Sequence, residues 1–281
     1  MAVWVSAATL AATASEPPTP LALRLAAEGE PVAAAIEFRR LALGAEDASA
    51  AARWYWWAAQ AYAQAGQPAM SNRMLDRAED AAPLALATGV SWLRAENALH
   101  ERDWPAAAFH FDSLRIKAGA EKWRDFSARG AASAYVQEKD LSAARAVLKD
   151  ATEAAEDARQ ALDRYAAGRD KKPWLGGVLG LVPGLGYVYA GEYANATRSL
   201  ILNSLFIWGM VEAAEEEAWG IFAVVAFGEI TWYTGSIYGG VDAAHRYNAR
   251  RLERAVSDVR GPARLAADRG QVPLVVLRVE F

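Results

Sequence analysis

The sequence predicts an all-α protein: an α-solenoid of paired helices followed by a transmembrane helical hairpin with a re-entrant glycine-rich segment. Three observations predict it. Four segments align on a turn residue that recurs every 36 or 37 positions, two long apolar runs follow near the C-terminal end, and a glycine-rich stretch stands between the two parts. A change of solvent near Lys171-Lys172-Pro173 divides them. Before it, charges are spread through alanine-rich amphipathic sequence; after it, Thr197 to Val211 and Ala218 to Val241 are apolar around the whole circumference, as a bilayer demands.

The chain opens on Ala2 to Ala14, small and apolar, and Ala12-Thr13-Ala14 before Ser15-Glu16-Pro17-Pro18 fits an A-x-A cleavage site, so residues 1–14 read as an export signal without a charged n-region. The net charge of −4 offers no basic field for nucleic acid. Cysteine is absent, which excludes disulfides and thiolate metal sites. His100, His110 and His245 lie far apart in sequence, and no nucleophile–base pair or ligand cluster is visible, so neither an enzyme, a metal site nor a cofactor is expected.

In the first part the turn residues are Gly29, Gly66, Arg102 and Lys139. Seven positions before each stands a small residue (Ala22, Ala59, Ala95, Ala132), and five after stands another (Ala34, Ser71, Ala107, Ala144). Nine after each comes Phe38, Leu75, Phe111 or Leu148; twelve after comes Leu41, Ala78, Leu114 or Ala151. Small residues let the helices of a pair approach, and the large one fills the gap to the next pair. One pair cannot bury its own face, so the pattern requires a stack. Pro83 is expected to stop the second pair, and a final helix over Ala143 to Ala167 to cap the array.

These offsets resemble the tetratricopeptide repeat over residues 18–152 of a helical domain taken as 18–167. The consensus tryptophan and glycine are mostly replaced, and the period exceeds the usual 34. The resemblance implies that the first helix of each pair lines a concave face: Arg53, Trp56, Gln60 and Gln64, then Trp92, Glu96 and His100, then Arg129, Ser133 and Gln137. That mixture of aromatic anchors, amides and charges suits an extended peptide or a helix of a protein partner. Within Trp54-Tyr55-Trp56-Trp57, Trp56 is the expected contact residue and Tyr55, like Tyr62, the expected core residue.

Residues 173–250 form the membrane module. Five glycines between Gly176 and Gly186, with Pro183, argue against a straight span over 174–193 and for a dipping segment that turns at Pro183-Gly184 and is anchored by Tyr187, Tyr189 and Tyr193. The spans are expected at about 197–213 and 218–241. Pro183, Gly184, Gly186, Tyr189 and Gly191 spell the P-G-x-G-x-x-Y-x-G signature, and the module is similar to TM2-like bacterial membrane domains found beside helical repeats. No glycine-lysine-serine/threonine follows, which rules against a phosphate loop.

Glu229 is the costly residue of the second span; an interhelical hydrogen bond, for example to Asn203, and a proton or ion relay are its two readings. Basic clusters flank the module on both sides, and two spans place both flanks on one face, cytoplasmic by the positive-inside rule. The export signal places the repeats outside. The reading adopted is a bacterial inner-membrane protein with periplasmic repeats, the alternatives being cytoplasmic repeats or the outer membrane. The tail 251–281 ends in a strand-like Val272 to Phe281. Function follows as a non-catalytic scaffold that binds a protein partner at the membrane lipid and can self-associate as a homo-oligomer; the alternative is a small transport or channel subunit using the glycine-rich break and Glu229.

Overall fold

The computed structural model describes residues 21–82, 86–117 and 121–261. Every regular element among them is helical, and the chain divides into two compact units, residues 1–163 with 255–281 and residues 164–254. The expected export signal, Pro83 and the strand-like tail lie outside the described residues.

The first unit holds α1 (Leu21–Ala27), α2 (Pro31–Leu43), α3 (Ala48–Gln64), α4 (Pro68–Ala81), α5 (Ala87–Glu101), α6 (Trp104–Lys117), α7 (Glu121–Gln137), α8 (Leu141–Lys149) and α9 (Glu156–Ala167), the last of which crosses the unit boundary. From α1 to α8 each helix packs on the one that follows it. The pairs are joined by one local device used four times. Gly29, Gly66, Arg102 and Lys139 adopt left-handed φ values of 81°, 69°, 60° and 63°. The next residue's N–H then donates five positions back, Glu30 to Leu25, Gln67 to Tyr62, Asp103 to Ala98 and Asp140 to Tyr135, at 2.9–3.0 Å. This Schellman closure satisfies carbonyls that the helix end would otherwise leave bare. Pro31 and Pro68 stand at the first turn of the following helix, where a missing N–H costs nothing, and Asp140 accepts from the Ala143 N–H at 2.9 Å to cap α8.

The small residues at the repeated offsets, Ala22, Ala59, Ala95, Ala132 and Ala34, Ser71, Ala107, Ala144, are all buried. So are Phe38, Leu75, Phe111 and Leu148. Within this core Asn97 donates to Ser71 Oγ at 2.9 Å and to Asn72 Oδ1 at 2.7 Å, tying α5 to α4, while the buried indole N–H of Trp56 has no hydrogen-bond partner.

The expected single helix from Ala143 to Ala167 is instead two. α8 ends at Lys149, a 3-10 turn covers Glu153–Ala155, and α9 begins at Glu156. The break is held from two sides. Asp125 on α7 accepts from the Thr152 N–H at 2.8 Å and from its hydroxyl, while Arg159 donates to the carbonyls of Leu148, Ala151 and Thr152 at 3.0, 2.5 and 3.1 Å. Local pattern favours a continuous helix here; a carboxylate from a neighbouring helix decides otherwise.

The second unit contains α10 (Pro173–Leu179), α11 (Leu185–Tyr189), α12 (Tyr193–Glu215) and most of α13 (Trp219–Arg260), whose residues from Ala255 onward belong to the first unit. Among the described residues, α13 is the one helix long and apolar enough to cross a membrane. The expectation of two such spans is corrected for α12, where Arg198, Asn203 and Glu212 interrupt the apolar run.

Candidate functional site

The face assigned to a partner divides sharply once the helices are packed. Trp56, the expected anchor, is 1 % exposed. Its ring lies against α5, where a Cβ at Gly89 would stand 3.0 Å from the indole nitrogen. Trp56 is therefore core, as are Tyr55 and Tyr62, and Gln60 is buried beside them. Ser133 is buried too, its hydroxyl donating to the Gly130 carbonyl at 2.7 Å. Trp92 is half-buried against the core. Gln64 and His100 are exposed, and Arg53 and Gln137 half-buried.

Glu96 and Arg129 meet a segment that sequence reasoning left unassigned. Arg260, in the last turn of α13, donates to both carboxylate oxygens of Glu96 at 2.7 Å. Arg129 donates to the Val259 carbonyl at 3.5 Å, to the Ala154 carbonyl at 2.6 Å and to Asp157, whose carboxyl it holds below the usual carboxylate range. The guanidinium thus meets one C-terminal carbonyl of α13, where positive charge is favourable. Val259 is fully buried in the same unit. Pairings across 130 and 164 residues have no local signal in sequence.

In the second unit the motif residues assemble around close backbone contact. Gly176, Gly186 and Gly240 meet: a Cβ at 176 would lie 2.3 Å from the Gly240 carbonyl oxygen, and one at 186 would lie 2.5 Å from the Gly176 oxygen and 2.9 Å from Gly240 Cα. Gly184 and Gly191 take left-handed φ values of 86° and 76°, with the half-buried Pro183 preceding the first. Gly191 repeats the Schellman closure of the first unit, Glu192 N–H donating to the Tyr187 carbonyl at 2.9 Å.

Contacts with α13 fix the course of residues 171–192. Asn248 bonds both the N–H and the carbonyl of Lys171 at 2.8 Å; the Tyr233 hydroxyl donates to the Leu181 carbonyl at 2.7 Å; Glu192 meets Arg246 at 3.0 and 2.8 Å. The segment therefore descends alongside α13 from the level of residue 248 to that of 233, about 22 Å at 1.5 Å per residue, and returns to the level of 246. Its side chains at the bottom of this path, Leu181 and Val182, are exposed.

Tyr189 fastens the mouth of this turn. Its hydroxyl accepts from the Lys172 N–H at 2.8 Å, and the Lys171 ammonium stands 4.8 Å from its ring centre and 5.3 Å from that of Tyr247. Beside it, Glu192 accepts from Arg246, from Arg250 at 3.2 Å and from Asn195 at 2.8 Å. The Arg246 guanidinium, with Asn195 and Arg250, pulls the carboxyl of Glu192 down to about 2. The signal that could have found this cluster was Glu192 directly after the last motif glycine, with Arg246 and Arg250 one turn apart.

α12 and α13 are joined by polar groups within their apolar stretches. Ser199 and Ser236 hydroxyls lie 2.6 Å apart, and Asn203 donates to the Ser199 carbonyl at 2.6 Å. The expected Glu229–Asn203 hydrogen bond is not formed. Glu229 Oε2 and Asn203 Oδ1 are both buried without a hydrogen-bond partner. Within the apolar stretches of the described residues, the interhelical polar link is the pair of Ser199 with Ser236, a pairing the sequence did not single out.

A cleft of about 490 Å³ opens between α11, α12 and α13. Asn195 and Arg198 stand at one end, Phe206 and Phe227 at the other. No protein-family model, curated protein or solved structure matches this chain.

Proposed function

We propose that this chain is a non-catalytic, membrane-anchored scaffold of the bacterial cell envelope, in which a tetratricopeptide-like solenoid presents a protein-binding surface. The observation that carries the reading is the contrast between the two units. In the first, the large side chains nine positions after each turn, Phe38, Leu75, Phe111 and Leu148, are all buried. In the second, bulky apolar side chains face outward along both long helices, Leu200, Leu205, Trp208 and Val211 on α12 and Ile221, Val224, Phe227 and Ile230 on α13, each at least half exposed. Water does not tolerate a continuous apolar surface of that extent, and a lipid bilayer covers it. In this reading α13 crosses the membrane with α12 alongside, and residues 173–191 form a re-entrant segment whose backbone is sheltered by the glycine contacts.

On the solenoid, the partner surface is the part that remains open, around Gln64 and His100. The buried Trp56 has no part in it, and Glu96 and Arg129 are reserved for the end of α13. The test uses the full chain in bacterial cells. It should resist alkaline extraction from membranes, and Val224→Lys with Phe227→Lys should release it, since both positions are about three-quarters exposed. A photo-reactive residue at His100 should give a discrete protein adduct that the same residue at the exposed Arg40 does not. Extraction of the unmodified chain at alkaline pH, or equal adducts from the two positions, refutes the proposal. Labelling a cysteine introduced at the exposed Ser142 with an impermeant maleimide then reads the side of the membrane: reaction once the outer membrane is permeable places the repeats in the periplasm.

A further inference from the structure

We infer that the cleft between α11, α12 and α13 is a binding site for one anionic phospholipid, with the phosphate at Arg198 and an acyl chain lying along the groove. The inference rests on the reading of the second unit as a membrane module. Its volume, about 490 Å³, lies within the range of about 300–1,000 Å³ common to small-molecule sites. The lining is graded. Asn195, Arg198 and Tyr187 are at one end; Trp232 and Gly235 line the middle; Phe206 and Phe227 close the other end. From Asn195 to Phe206 is eleven residues of α12, about 16 Å along the helix axis and close to half the thickness of a bilayer's hydrocarbon core. A lipid of the leaflet that meets the Glu192–Arg246 end would place its phosphate at Arg198 and its chain toward the bilayer centre.

Charge complementarity selects the headgroup. Arg246 and Arg250 share Glu192, but Arg198 has no ion-pair partner among the described residues, and its guanidinium makes one long hydrogen bond, 3.5 Å, to Asn195 Oδ1. An arginine on a helix surrounded by lipid seeks an anion, and a basic pocket between membrane helices is the known setting for acidic headgroups. The planar guanidinium fits two phosphate oxygens at once. Gly235 lines the cleft, and an added Cβ there meets nothing within 4 Å, so the space beside it is open. A larger side chain at this position extends from open space into the proposed acyl position.

The test is native mass spectrometry of the full chain released from nanodiscs made of equal phosphatidylglycerol and phosphatidylcholine. The unmodified chain should retain one phosphatidylglycerol, in roughly ten-fold preference to phosphatidylcholine. Arg198→Gln should abolish the preference. Gly235→Leu should lower retention of both lipids about ten-fold, while Gly220→Leu, at a helix position equally free of neighbours but outside the cleft, should leave retention unchanged. Undiminished preference in Arg198→Gln, or undiminished retention in Gly235→Leu, overturns the assignment. So does a chain that enters nanodiscs and retains no lipid, which leaves the membrane reading intact. A chain that fails to enter nanodiscs refutes both.

Discussion

Replacing Gly186 by alanine tests the central packing claim for the second unit. The added Cβ would sit 2.5 Å from the Gly176 oxygen and 2.9 Å from Gly240 Cα. Both obstacles are backbone, and neither neighbour has a side chain to rotate away. Overpacking of this kind costs about 1–3 kcal/mol, and two backbone overlaps place it at the upper end. Against that, alanine gains about 0.5–1 kcal/mol over glycine in a helix. A net loss of about 2 kcal/mol should lower the unfolding temperature of the full chain in detergent by about 4–8 °C, at about 2–4 °C per kcal/mol for a protein of this size class. Gly235→Ala is the matched control: its Cβ meets nothing within 4 Å, so only the helix gain remains and the midpoint should rise by about 1–4 °C. The two substitutions lie in one unit and must move its transition, followed by far-ultraviolet circular dichroism, in opposite directions. If Gly186→Ala unfolds at or above the temperature of Gly235→Ala, the three-glycine contact does not exist.

Trp56→Ala should destabilise the first unit by about 3–5 kcal/mol, the usual cost of deleting a large buried ring, as measured by urea unfolding; a loss below 1 kcal/mol would return this residue to the surface. Glu192 gives a pH dependence. Its folded value of about 2 lies below its ordinary 4.5, so the stabilisation is fully present above about pH 4.5 and is lost as pH falls toward 2. The full displacement corresponds to about 3 kcal/mol, and because the Arg246 and Arg250 side chains are 45 % and 43 % exposed, screening reduces this to about 1 kcal/mol. Glu192→Gln should flatten that part of the stability profile, and an unchanged acid slope would remove the cluster from the account.

What the sequence determined by itself is local. The four turns were legible because a left-handed closure and the small and large residues around it all fall within about twenty positions of chain. Arg102 and Lys139 fill the same backbone role as Gly29 and Gly66, so the offsets identified turns that residue type alone would have missed. The glycine-rich break was legible for a similar reason, since glycines in such number reject a straight span. Tertiary structure decided which surfaces remain available. An amphipathic pattern cannot say whether Trp56 meets solvent or the next helix; Gly89, thirty-three residues on, decides it by leaving room for the ring. Glu96 and Arg129 look like binding residues until Arg260 and the Val259 carbonyl arrive from the far end of α13. Likewise the pairing of Ser199 with Ser236, rather than Asn203 with Glu229, depends on the rotation of α12 about its own axis. That rotation is set by side-chain packing between helices, which no stretch of sequence encodes alone.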